Sequence, residues 1–171
     1  MKFAALALVA ATPPWLQPWP IGAGMRYHPS PTTAAVRSGS PVGRFQCGHA
    51  TARFAVHLEL FAHRRVIVVP AGIGDGPGCM YPLRTTAPTG VVDVAAATAT
   101  LGDLFRVWGR RLGPRRLLSF TSRAGTFAFV AGRRVHGDPR SIVLKPRMQL
   151  VLEIAGALPP HPSYLFPKGT P

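Results

Sequence analysis

The chain has 171 residues, enough for one domain with extensions, and 47% hydrophobic with 15% charged residues is a globular composition that excludes a disordered or fibrous chain. Twenty Lys and Arg stand against six Asp and Glu, a formal charge of +14, and seventeen of the twenty are arginine. A field of that sign favours phosphates, acidic lipids or other polyanions as partners, although an arginine-rich coding bias whose charges merely solvate the surface gives the same surplus.

The N-terminus, MKFAALALVAATPP, has one lysine, an apolar run from Phe3 to Ala11, and small residues before Thr12. That pattern predicts an export signal over residues 1–11; a true start at Met25, or an unstructured leader, is the competing reading. The run is far below the ~20 apolar residues that cross a bilayer, so no transmembrane helix is expected. An exported location follows: secreted, periplasmic or cell-envelope. Residues 12–46 hold seven prolines and no regular period, which predicts a loosely draped arm in which Trp15 and Trp19 pack on the domain.

Two cysteines, Cys47 and Cys79, complete the thiol inventory. Given export to an oxidising compartment, a disulfide between them is expected, and two separate thiols are the alternative. From Ala52 the pattern changes. Phe54, Val56, Leu58 and Leu60 alternate with Arg53, Ala55, His57 and Glu59, the period of a half-buried strand, so His57 and Glu59 are expected on the outer face. AHRR turns the chain and VIVVP returns it to Pro70, a hairpin. CMYPL and GVVDVA are two further short strands flanking RTTAPT.

TLGDLFRVWGRRLG switches to helical spacing, with Leu101, Leu104, Phe105, Trp108 and Leu112 on one stripe. Thr100 and Asp103 suit a capping box, Arg110 and Arg111 suit the last turn, and Gly113 and Pro114 are expected to end the helix. Beyond it lie a hairpin turning at Gly132, with Phe127 and Phe129 on one face, and a closing strand in which Met148, Leu150, Leu152 and Ile154 alternate with Gln149, Val151 and Glu153. Strands, helix, strands predict an α+β domain over residues 47–156. It is mainly an antiparallel β-sheet with one amphipathic helix packed on a face, resembling the β-grasp. Residues 157–171 are a proline-rich tail, anchored by Tyr164, Leu165 and Phe166.

No phosphate-binding glycine loop, HExxH, paired CxxC or serine elbow is present, and no enzyme activity or cofactor is expected. Two constellations carry possible metal chemistry. Cys47 and Cys79 with His49 and Met80 are soft ligands for copper or zinc, but a disulfide between the same cysteines would remove both thiolates. His57 and Asp93, with Glu59 nearby, form a second candidate pair, for which a surface hydrogen bond is the plain alternative. Arginines gather at Arg64 and Arg65, at Arg106 to Arg116, and at Arg133 and Arg134. If these lie on one rim, they form an anion-binding patch for lipid head groups or polyanions. No aromatic residues interleave with them for base stacking, so sequence-specific nucleic-acid recognition is not expected.

The pieces VHLELF, VPAGIG, GCMYPL, TLGDLFRVWG, GDPRSIVLKPRMQLVLEI and YLFPKG, in this order from Cys47 to Gly169, resemble a family of uncharacterised exported bacterial proteins. The resemblance implies histidines at alternate positions of the first strand, a leucine-His-Thr-His-Asp run after the second cysteine, and a further histidine on the next strand. These positions hold Arg53, Ala55 and His57, then Arg84, Thr86 and Ala87, then Asp93, so only His57 remains. With guanidinium where imidazole is implied, the site is read as lost or converted to anion binding by Arg53 and Arg84, with Arg110 and Arg111 contributing to the basic surface. Drift on an exposed sheet is the alternative. The expected function is a non-enzymatic binding or docking domain at the cell envelope. The second reading is a copper- or zinc-handling protein with a degenerate histidine site.

Overall fold

Residues 16–17, 25–31, 33–156 and 163–171 are described in the computed structural model; the expected leader, Met1 to Ala11, with Trp15 and Trp19, falls outside them. First come β1 (Leu16–Gln17), β2 (Arg26–Tyr27) and the short helix α1 (Ala34–Ser38). The hairpin of β3 (Phe54–Ala62) and β4 (Arg65–Ile67) is followed by β5 (Asp75–Gly76), β6 (Cys79–Met80), β7 (Leu83–Arg84) and β8 (Val91–Val94). After α2 (Leu101–Trp108), three two-residue strands, β9 (Leu112–Gly113), β10 (Arg116–Leu117) and β11 (Phe120–Thr121), lead to the hairpin of β12 (Thr126–Val130) and β13 (Arg133–Val135). A 3-10 turn at Pro139–Ser141, β14 (Gln149–Ile154) and β15 (Ser163–Tyr164) complete the order.

β3 is the axis of the molecule. Six of its nine residues, His57 to Ala62, pair along one side with β14, while the other side is shared: β8 covers Phe54 to His57 and β4 covers Leu60 to Ala62. The order across the sheet is β13-β12-β14-β3-β4-β2, with β8 and then β7 beside the first half of β3. Most pairs are antiparallel as expected, but the central pair, β3 with β14, is parallel, so the sheet is mixed. Local sequence does not carry that direction, because both strands alternate in the same way whichever way they run.

Val56, Leu58, Leu60, Leu150, Leu152 and Ile154 project from one face into the main core, which Leu101, Leu104, Phe105, Val107 and Trp108 close from the helix side. The capping box at α2 forms as expected, with the Asp103 N–H donating to Thr100 Oγ1 at 3.2 Å and the Thr100 N–H to Asp103 Oδ2 at 3.1 Å. The helix stops earlier than its apolar stripe suggests. Gly109 adopts φ 67°, its N–H turning back to the carbonyls of Phe105 and Arg106, and a Cβ there would lie 1.5 Å from Thr33 Cγ2. Arg110 and Arg111 therefore follow the helix, and Leu112 opens β9.

The segment read as a draped arm joins the core. Thr33 caps α1, Val36 is fully buried, and Val42 and Phe45 belong to the main cluster. Tyr81 is buried and its hydroxyl donates to the Ser40 carbonyl, while Trp108 Nε1 donates to the Ser30 carbonyl at 3.0 Å. Cys47 and Cys79 are bonded, with Cα atoms 5.4 Å apart, and paired backbone bonds between Gly48 and Met80 continue the junction. Closing a loop of this length is worth about 3–4 kcal/mol in the chain-entropy account.

Candidate functional site

The register places Ala55 beside Asp93 and Asp93 beside Arg84, so Ala55, His57, Asp93 and Arg84 share one face, as the alternation predicts. That face is not open. All nine residues of β3 are buried, His57 to 3% exposure and Ala55 fully, which corrects the expectation of a half-exposed strand. The covering is tertiary. Gln149, level with His57, accepts from the Tyr164 N–H at 3.0 Å and donates to its carbonyl at 2.9 Å, so one amide side chain brackets the tail as a strand would. The Tyr164 ring then stacks on His57 at 3.9 Å, and the Pro171 carbonyl accepts the Ala55 N–H at 3.0 Å. Tyr164 is thus the anchor expected of the tail, whereas Leu165 is exposed.

His57 Nε2 lies 3.1 Å from the Thr89 carbonyl, which can only accept, so this nitrogen carries a proton. Gly90 permits the approach: it sits at φ 78°, and a Cβ there would stand 2.5 Å from the Leu58 carbonyl and 3.1 Å from His57 Nε2. Asp93 pairs instead with Arg84, Nε to Oδ2 at 3.6 Å. Burial pushes the Asp93 carboxyl up, more strongly than the Arg84 charge pulls it down. Arg53 stands exposed just ahead of β3, its N–H bonded to the Val94 carbonyl. Arg84, expected from the sequence to bind an anion beside Arg53, has its charge matched across the strand pair, and its guanidinium also contacts Met80 Sδ.

The disulfide expected between Cys47 and Cys79 forms, and it consumes both thiolates and leaves His49 without them, so the soft-ligand alternative falls. Among the described residues no group of three or more His, Cys, Asp or Glu side chains is placed to hold a metal ion. A different titratable group emerges on the covered face. Glu59 is 5% exposed, its Oε2 has no hydrogen-bond partner among the described residues, and burial pushes its carboxyl up to about 7. Phe61, Val66, Val151 and Phe129 form a small apolar cluster on the same face.

The arginine runs do not share one rim. β12 is antiparallel to β14, which is parallel to β3, so the β12–β13 turn with Arg133 and Arg134 lies at the opposite end of the sheet from the β3–β4 turn with Arg64 and Arg65. The exit from α2 joins the latter end. The Pro114 carbonyl accepts the Thr126 N–H at 2.7 Å at the start of β12, and the Phe120 ring lies 5.8 Å from His63 in the first hairpin turn. Arg110 gives Nη2 to the Ser30 carbonyl at 3.1 Å, while Arg111 is exposed. Both lie on the helix side of the sheet, away from the face that carries Arg84 and Asp93.

At that end Gly113, Pro114, Arg115, Arg116, Thr121, Ser122 and Arg123 line an open cleft of about 480 Å3. The meander that builds it leaves no trace in the hydrophobic pattern, since two-residue strands are too short to show a period. The usable signal was charge: between Asp103 and Asp138 the chain has eight arginines and no acid. The flanking acids are occupied. Asp103 binds Arg44 at 2.9 Å and Arg106 at 3.1 Å, and Asp138 binds Arg140. Burial would raise the Asp103 carboxyl, but the Thr100 N–H and the Arg44 guanidinium together hold it below its usual range. The Arg140 guanidinium lowers Asp138 likewise. Comparison with protein-family models, with curated proteins and with solved structures finds no match to this chain.

Proposed function

We propose that this protein is an exported, non-enzymatic binding domain that docks onto anionic groups at the cell envelope through the basic end of its sheet. The observation that carries the reading is the convergence there of Arg64, Arg65, Arg115, Arg116 and Arg123, none of which is ion-paired to a carboxylate among the described residues. Like charges held together without counter-ions repel, and a bound polyanion relieves that repulsion. The disulfide supports an oxidising compartment, and no helix among the described residues is long and apolar enough to cross a membrane. The resemblance to exported bacterial proteins belongs to the same proposal. So does the β-grasp reading, which is supported by the order β4-β3-β14-β12-β13 with α2 between the two hairpins in sequence.

Sedimentation with vesicles of phosphatidylglycerol and of phosphatidylcholine tests it. The expected result is binding to the first only, weakening steeply as salt rises and falling when Arg64 and Arg65 are both replaced by alanine. Equal binding to both vesicles, or binding indifferent to salt, would overturn it.

A further inference from the structure

Charge alone makes a surface sticky; a discrete site needs fixed walls. The cleft beside β10 has them. Gly113 pairs with Arg116 and Arg116 with Thr121, so two successive hairpins with two-residue loops set three short strands side by side. The Arg115 carbonyl accepts the Ser122 N–H at 3.3 Å, and the Ala124 N–H donates to Ser122 Oγ at 3.2 Å. With the Pro114 to Thr126 bond, these contacts tie both ends of the meander and hold the backbone of Arg115, Arg116 and Arg123 around one opening. Leu117 is fully buried and fastens the ribbon to the core.

Resting on the anion-docking reading, and deepening it, we propose that this cleft is a binding site for a phosphate monoester. Three guanidinium groups present planar forks that match the oxygens of a tetrahedral phosphate two at a time. A dianion answers three positive charges better than the single charge of a carboxylate or a phosphodiester. The exposed Thr121 hydroxyl, opposite Arg116 in the ladder, adds a neutral donor. A volume of about 480 Å3 lies within the range of clefts that take a small organic molecule, so the site has room for what the phosphate is attached to. That body is either the glycerol end of a lipid or a soluble phosphorylated molecule; the phosphate chemistry is common to both.

Calorimetry with glycerol 3-phosphate and sedimentation with phosphatidate vesicles separate these sources. The expected result is saturable one-to-one binding of the soluble ester, or binding to phosphatidate in preference to phosphatidylglycerol at equal charge. Affinity should rise between pH 5 and 7 as the ester takes its second charge near pH 6, a rise a sulfate ester cannot show. Arg116→Ala and Arg123→Ala should each weaken binding by on the order of tenfold, the worth of a charge-assisted hydrogen bond. Arg53→Ala, at the far end of the sheet, should leave it unchanged, and circular dichroism should show every variant folded. Retention of phosphatidylglycerol binding with no response to either monoester, equal affinity for sulfate esters at pH 7, or indifference to both cleft variants would overturn the phosphate site while leaving anion docking intact. Failure to bind any anionic vesicle and the soluble ester alike would remove both.

Discussion

At the start of β3, Arg84 faces Asp93 at 3.6 Å and His57 lies under Tyr164, whereas at the end of β3 Arg64 and Arg65, with Arg115, Arg116 and Arg123, form no ion pair with a carboxylate among the described residues. At the first place the charge of Arg84 is matched and His57 is covered, although Arg53, Arg133 and Arg134 stay exposed at that end; at the second the arginines are left open. Both ends look equally basic in sequence. What distinguishes them is whether the fold brings an acid or a strap to the arginine, so density of charge along the chain is a poor guide to where a ligand goes.

The largest blow to the covered end should come from removing its cross-link. Cys47→Ser with Cys79→Ser is expected to cost about 3–4 kcal/mol in urea unfolding, while vesicle binding by the variant that remains folded stays as it was. If binding were lost with fold retained, the two ends would not be independent. Glu59 comes next. Its folded carboxyl titrates at about 7 against 4.5 for the free group, so both states are protonated below pH 4.5 and the residue then has no effect. As pH rises the unfolded chain ionises first, and the native state loses about 3 kcal/mol by pH 7 and above. Glu59→Gln should abolish this loss, raising stability at pH 8 and changing nothing at pH 4 in thermal melts. A stability curve for the variant that still falls from pH 4.5 to 7 in parallel with the parent would show that the buried carboxylate is not its source.

Arg84→Ala should be milder. It leaves the partly buried Asp93 carboxylate without its counter-charge, a cost of about 1 kcal/mol near neutral pH, and it should not alter vesicle binding. Smallest of all, Arg53→Ala is expected to shift stability by less than about 0.5 kcal/mol. A marked loss of anion binding in either variant would move the docking surface back to the end where the sequence first placed it.

Much of this architecture was legible. The alternation through Phe54 to Leu60 fixed β3, the Thr100 and Asp103 spacing fixed the start of α2, and the turn at Gly132 separated β12 from β13. Three things were not. The helix ends at the left-handed Gly109 and not at Gly113, and only the fold shows that Thr33, distant in sequence, leaves no room for a side chain there. The meander escaped because its strands are two residues long. The exposure of the β3 outer face was not legible, because a strand's polar positions indicate exposure only when nothing else lies on them, and the tail from Ser163 to Pro171 does.

The residues by themselves determined the sheet-plus-helix composition, the faces on which His57, Arg84 and Asp93 fall, and the surplus of arginine. Only the folded chain decided that β3 and β14 run the same way, that the tail covers His57, and which guanidinium groups find a carboxylate. Periodicity and capping are encoded within a few neighbouring residues, whereas strand direction, burial and charge pairing depend on partners that chain closure brings from far away in sequence.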